Sequence, residues 1–533
     1  MPQPSDLSSP SSPVSALRYP AFRMLWSAWV VASVCMWMND VTAAWVMTSL
    51  TTSPMWVALV QTAATLPVFL LGLPSGALAD MLDRKRYFLS TQLWAALVAA
   101  ALSALSFLGL MSPLLLLVLT FANGLGLAMR WPAYSAIVPE LVPRPELPAA
   151  LALNGISTNA ARLFGPLLAG ALIATAGSAW VFFLNAVLSL ATAVLIGRWR
   201  HEMRTDPLGR ESLGTAMRIG AQHVAQSYHL KGVLLRIFSF FFHSTALMAL
   251  LALLARGLQD GGAGTFTLLM ATMGAGAITA SLFLTPLRRR YARDALVLKG
   301  SVAMGLAMAS LAVAQHLWPA LIAMFVVGGA WITTANTLSV SIQMGLPDWV
   351  RARGMAIYQM AIMGASAVGA AVWGQLATWA GVQTSLGVAS LTGIAVMALC
   401  NRLMPDRGTE SEQPSGDILD MPQAAVEPGP GRVVVAIEYL VKPTDAAAFT
   451  YLMQHEGRSS RLRNGALAWH LLHDINQPGH FTEIIVDGSW PDHLRRFNRS
   501  NAVELGLRER KRAFHMGNTP PRVTRHLVES RPH

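Results

Sequence analysis

The sequence predicts an all-α membrane protein of twelve transmembrane helices in two six-helix repeats, followed by a small α+β soluble domain. Three observations carry this. Of 533 residues, 53% are hydrophobic and only 13% charged, against roughly 25% charged in an average soluble domain, too few to clothe a globular surface in water. Apolar stretches that reach the ~20 residues a bilayer requires recur from residue 22 to residue 404 and then stop. Basic side chains occupy alternate connections between them, as membrane topology demands.

The elements follow in order. Residues 1–21, opening "MPQPSDLSSPSSPVS", are polar and Pro/Ser-rich with no apolar h-region, and read as a disordered cytoplasmic tail. The N-terminal bundle (22–198) holds spans at 22–50, 54–79, 87–109, 113–138, 147–176 and 179–198. A cytoplasmic inter-bundle loop, 199–231, leads to the C-terminal bundle (232–404), with spans at 232–257, 264–287, 295–314, 318–345, 353–380 and 383–404. With the amino terminus inside, the inside loops "DMLDRKR", "PELVPRPE", "RWRHEMRTDPLGR", "RRRYARD" and "PDWVRAR" all carry Arg or Lys, whereas Arg256 is the only base in the outside loops. Both termini are therefore expected in the cytoplasm.

The halves echo each other. "PELVP" (139–143) precedes a helix ending "GPLLAG" (165–170), and "PDWVR" (347–351) precedes one ending "GAAVWG" (369–374). Two such repeats around a central site are a recurring plan of secondary transporters.

After residue 404 the composition changes. Residues 405–430 are acidic and Pro/Gly-rich, a flexible linker. In 431–533, "RVVVAIEYLV", "GALAWHLLHD", "HFTEIIVDGSW" and "PRVTRHLV" read as strands, with helices between the first and second and between the third and fourth. The order βαββαβ predicts a cytoplasmic ferredoxin-like domain. Domains of this shape pair through their sheets, so dimerisation through it is an expectation. Its His470, His473, Trp469, Trp490 and His493 show no metal-ligand spacing, and the histidines read as surface residues on a sheet.

The net charge of +12 is dispersed among loops rather than gathered in a stripe, which argues against nucleic acid. Cys35 and Cys400 lie far apart in apolar runs, so neither a disulfide framework nor a Cys-rich metal site is expected. No nucleotide-binding loop is visible, and no cofactor is expected.

Two stretches carry a resemblance. "GALADMLDRKR" resembles the signature loop of the major facilitator superfamily, G-x-x-x-D-x-x-G-R-[RK]: Gly76, Asp80, Arg84 and Lys85 match, and Asp83 stands where the second Gly is usual. The resemblance implies a gate in which Asp80 and Arg84 latch the cytoplasmic side, with Lys85 and Arg86 fixing topology. "ARLFGPLLAG" is similar to the Gly-Pro motif of antiport-type exporters at Gly165, Pro166 and Gly170, with Ala161 and Ala169 replacing usual glycines. Together with "ALNGISTN" before it, this resembles the bacterial secretion-effector branch, which includes siderophore exporters. The soluble tail resembles the ferredoxin-like domains related to antibiotic-biosynthesis monooxygenases.

A charge inside a span costs about 2.5–3.5 kcal/mol on insertion scales and so faces a partner or a cavity. Asp40 is the acid placed well inside a span, and it and His243 are the proton-coupling candidates. Asn154, Thr158 and Arg162 fall at i, i+4 and i+8 on one face. That face is read as pathway-lining, with Arg162 pairing Asp40 or an anionic cargo. Arg130, Gln61 and Asn336 are further lining candidates; each polar residue could instead hold helices together.

The sequence thus points to a proton-driven exporter of a small molecule, its partners being cargo, protons and lipid. An uptake permease of the same fold, or an anchored enzyme or sensor working through the C-terminal domain, remain as alternatives.

Overall fold

The computed structural model describes residues 13–143, 146–199, 213–258, 261–405, 431–498, 502–517 and 519–528. The chain divides into two compact units. The first comprises Met1–Pro207, Leu234–Val340 and Ala356–Pro405, and the second Leu208–Val233, Ser341–Met355 and Asp406–His533.

The N-terminal half contributes α1 (Pro20–Leu50), α2 (Pro54–Met81), α3 (Arg84–Phe107), α4 (Pro113–Leu141), α5 (Leu147–Thr175) and α6 (Ser178–Arg198). After α7 (Leu213–Gln226) come α8 (Tyr228–Gly257), α9 (Ala263–Arg290), α10 (Arg293–Val313), α11 (Leu317–Met344), α12 (Asp348–Ala380) and α13 (Val382–Leu403). All but α7 are long and apolar enough to span a bilayer, twelve such helices among the described residues. Proline opens α1, α2 and α4, where its missing N–H would have no intrahelical partner in any case.

The internal repeat is visible in the turns. Gly177 joins α5 to α6 at φ 98°, and Gly381 joins α12 to α13 at φ 88°. Positive φ strains any residue with a Cβ, and the two glycines hold equivalent places in the halves. The pairings repeat too, with α3 packed on α6 and α10 on α13. Near the end carrying the basic loops, a buried cluster including Phe22, Trp29, Phe88, Tyr134 and Ile137 ties α1, α3 and α4 together.

Two segments depart from the sequence expectation. Pro13–Arg18, placed in the disordered tail, forms a 3₁₀ turn whose Ala16 is fully buried against that cluster. The inter-bundle loop contains α7, a helix too short and too polar to show as a span. Its residues 200–212, the latter part of the Pro/Gly linker (406–430) and residues 1–12 lie outside the described residues.

In the second unit the C-terminal segment forms β1 (Val433–Leu440), α14 (Ala446–Leu452), α15 (Arg458–Arg463), β2 (Ala468–His473), β3 (His480–Asp487), α16 (Trp490–Asn498), α17 (Ala502–Ala513) and β4 (Arg522–Leu527). A π turn, Met453–Gly457, joins α14 to α15. The sheet order is β2-β3-β1-β4 with antiparallel neighbours throughout, the expected ferredoxin-like arrangement. Strand alternation sets its core: Phe481, Glu483, Ile485 and Asp487 of β3 are buried while their neighbours are half-exposed.

Candidate functional site: the seam between the helical bundles

Among the described residues, α2 with α12 and α5 with α9 pack across the halves. Along α2 and α12, a Cβ on Gly374 would overlap Ala58, Thr62 Oγ1 donates to Ala367 O at 2.9 Å, and Phe69 packs on Gly364. Further along, a Cβ on Gly72 would lie 2.9 Å from Met360 Cγ. Small residues bring backbones close where hydrocarbon surroundings give no hydrophobic drive to associate. The second pair is α5 with α9, where Gly170 leaves room only for Thr267. Beside it Trp45 stacks on Phe266 at 5.7 Å and Arg256 sits 4.8 Å over Trp45.

The Gly-Pro stretch of α5 therefore performs two tasks. Gly165 faces α1, where a Cβ would lie 2.5 Å from Trp37 Cβ, and Gly170 faces the opposite half. Pro166 sits between them inside the helix, removing one backbone donor.

Asp40, half-buried on α1, interacts electrostatically with Arg130 of α4. Arg162 was expected to pair Asp40 or an anionic cargo; the charge that acts on Asp40 here is Arg130. Arg130 is buried, its guanidinium lies 5.8 Å from the Trp29 ring centre, and its Nε has no hydrogen-bond partner among the described residues. Trp29 in turn stacks on Tyr134 at 4.1 Å, and Tyr134 Oη donates to Asn154 Oδ1 at 2.9 Å. A chain of contacts thus runs from the charged pair through two rings to α5.

Arg162 lies 5.4 Å from the Trp37 ring centre, within electrostatic range of Tyr358 of α12. Its Nε is buried without a hydrogen-bond partner among the described residues, an unmet donor of the kind a ligand oxygen satisfies. Thr158 bonds back to Asn154 O at 3.0 Å, and Thr65 back to Gln61 O at 2.8 Å; Gln61 is half-buried on α2. Asn336 accepts from Arg288 Nη2 at 2.7 Å, tying α11 to α9. His243 bonds to Ser239 O at 2.7 Å and packs against Trp373 and Gly393, within the C-terminal half.

Of the signature loop, Gly76 and Asp80 fall in α2 with side chains outside the described residues, so the expected Asp80–Arg84 latch lies outside them too. Arg84 and Lys85 open α3. Asp83, the departure from the motif, is the N-cap of α3 and accepts from Arg86 N at 2.9 Å.

The soluble domain holds a buried ion network. Glu483, fully buried, accepts from Arg461 Nε and Trp469 Nε1, each at 3.0 Å, and lies 3.5 Å from Lys511 Nζ. Tyr439 Oη donates to it at 3.2 Å. Burial alone would raise its pKa; Arg461 and Lys511 outweigh that and hold the carboxyl well below the usual range. Burial and the neighbouring Arg461 push Lys511 down to about 8. Asp487 receives two hydrogen bonds from Arg496, at 2.9 and 2.8 Å, and one from His493 Nδ1 at 2.8 Å. His493 is fully buried on α16, correcting its reading as a surface residue; His470 and His473 are exposed on β2. Trp490 packs against His493 at 5.3 Å. Period-2 alternation could have found these acids, because Glu483 and Asp487 share a strand face with Phe481 and Ile485.

Solved transporters share this helical architecture. The nucleoside transporter NupG superposes with a TM-score of 0.58 at 14% identity, over 72% of this chain and 99% of that one. A bacterial homologue of the human lysosomal transporter Spinster, solved inward-facing and unoccupied, gives 0.55 at 13%, over 73% and 97%. The fold is that of a multi-pass membrane transporter of the major facilitator type. The transmembrane secretion effector family matches residues 11–533, and the chain belongs to that family. Among curated proteins, an MFS-type transporter of Bacillus subtilis (strain 168), YfiS, is 31% identical over 144 residues, 27% of this chain. That match spans 33% of the relative's length. The staphyloferrin A transporter of Staphylococcus aureus (strain NCTC 8325 / PS 47) is 22% identical over 331 residues, 61% of this chain and 81% of the relative.

Proposed function

We propose that this transporter exports a small molecule from the cytoplasm in exchange for protons, its two halves alternating access about the α2–α12 and α5–α9 seams. The feature that carries the reading is Asp40 inside the spans, with the charge of Arg130 on α4 acting on it. A carboxylate beside a cation can exchange protons with the pathway, and protonation releases the cation for another anion. Protons enter from outside and reach Asp40 as cargo leaves. Arg162, beside Trp37 with an unmet donor, is the anchor for an acidic group on the cargo. In this reading the termini and C-terminal domain lie on the cytoplasmic side of a bacterial inner membrane, and the distribution of basic loops supports it. The relative named for staphyloferrin A supports a siderophore-like cargo.

The test compares small molecules released by cells without the transporter, with the wild type, and with Asp40→Asn at matched membrane levels. Export by the wild type that is lost with Asp40→Asn supports the reading and names the cargo. Accumulation inside wild-type cells reverses the direction. Equal release by all three strains removes export altogether.

A further inference from the structure

Between the inward face of the sheet and the helices of the C-terminal domain lies a cavity of about 170 Å³. A cavity of about 150 Å³ with hydrocarbon walls admits a benzene ring, so the space suits one ring rather than a large substrate. We propose that it binds a small organic carboxylate whose apolar body is about the size of a single ring.

Its floor is apolar, with Ile437 and Ile485 from the sheet and Phe497 and Leu507 from the helices. Its rim is strongly cationic. Six cations line the space against one lining carboxylate, Glu504, and they still outnumber the acids when Glu483 and Asp487 behind the wall are included. Most are committed: Arg461 and Lys511 to Glu483, Arg496 to Asp487, and Arg525 to His493 Nε2 at 3.2 Å. Glu504 is itself satisfied by Arg463 and Ser460.

Arg508 and Arg512 remain, one helical turn apart on α17, with no ion pair among the described residues. A guanidinium fork matches a carboxylate in two parallel hydrogen bonds. An inorganic anion would satisfy the rim but lie against an apolar floor that gives it nothing, and a neutral ring would leave the cations unmet. A carboxylate on an apolar ring meets both surfaces. The inference stands apart from the direction and cargo of transport, since its residues lie outside the spans.

Benzoate serves as the probe, with benzamide as its uncharged isostere and inorganic phosphate as a bare anion, titrated calorimetrically into the full-length protein in detergent. The expected result is saturable benzoate binding at one site per chain, about tenfold or more tighter than benzamide or phosphate. Arg508→Gln with Arg512→Gln should weaken benzoate by about tenfold, whereas Arg522→Gln, on β4 away from the cavity, should not. Both arginines of the pair are exposed, and a thermal melt of each sample checks folding. If the pair disturbs the fold, the wild-type comparison of benzoate with benzamide still decides. Absence of saturable benzoate binding, equal affinity for benzamide or phosphate, or a folded double variant with unchanged affinity would each overturn the proposal.

Discussion

At the residue scale, single positions divide into those whose size is fixed by a neighbour and those with room for a Cβ. Gly170 belongs to the first kind, because any Cβ there overlaps the Thr267 side chain across the seam. Gly170→Val should leave membrane insertion intact and sharply reduce transport, since the seam must close during every cycle. Gly155→Ala, with nothing within 4 Å of its added Cβ, should be silent. Equal transport by the two variants in a vesicle flux assay would dismiss the seam. Asp83 makes a second case. The motif leads one to expect Gly there, yet the carboxylate caps α3. Asp83→Ala should cost about 1 kcal/mol, whereas Asp83→Gly, restoring the usual residue, should cost only a few tenths; thermal unfolding in one detergent separates them. Neither the Asp40–Arg130 pairing nor the separate directions of Gly165 and Gly170 could be read from sequence. Periodicity gives the face of one helix, and it does not say which helix stands opposite.

At the element scale, the twelve spans were legible because the bilayer imposes one length and one polarity on all of them. The ferredoxin-like order was legible from alternation, "HFTEIIVD" being buried at every second residue. What escaped was α7, whose fourteen residues carry no span-length apolar run, and the placing of Glu483 and Asp487 on the inner face of β3. Those acids make the domain sensitive to acid. Their folded-state pKa values lie below the ordinary ones, so their contribution to stability is complete above the unfolded values of about 4.3 and 3.9. It is lost as pH falls through the folded values. Hydrogen exchange of the β1 and β3 peptides, corrected for intrinsic rate, should show protection that is flat down to about pH 4.5 and falls below it. Arg461→Met, which leaves Glu483 with Lys511 as its remaining buried cation, should cost the domain about 3 kcal/mol at neutral pH. Unchanged exchange in that variant would mean the network contributes no stability.

At the scale of the whole molecule, the second unit contains more than the C-terminal domain. It includes α7 and the start of α12, and α7 meets α15. Arg218 of α7 donates to Ala466 O at 3.5 Å, His223 bonds to Arg463 O at 3.3 Å, and the same imidazole meets the Trp349 ring edge-on at 5.3 Å. Gly220 lets α7 approach Arg353, where a Cβ would lie 2.9 Å from Arg353 Cβ. The C-terminal domain is therefore held to α7, and α7 in turn to the first turns of α12. Such an arrangement biases a two-state movement only if its contacts differ between the states. Arg218→Ala with His223→Ala should release α15, raising hydrogen exchange over 458–463 while leaving the β1 and β3 peptides protected. If the domain regulates transport, the same variant should change flux in the direction that deleting 431–533 does, and to a smaller extent. A domain that merely accompanies the transporter would give raised exchange at 458–463 with flux equal to wild type in both the double variant and the deletion.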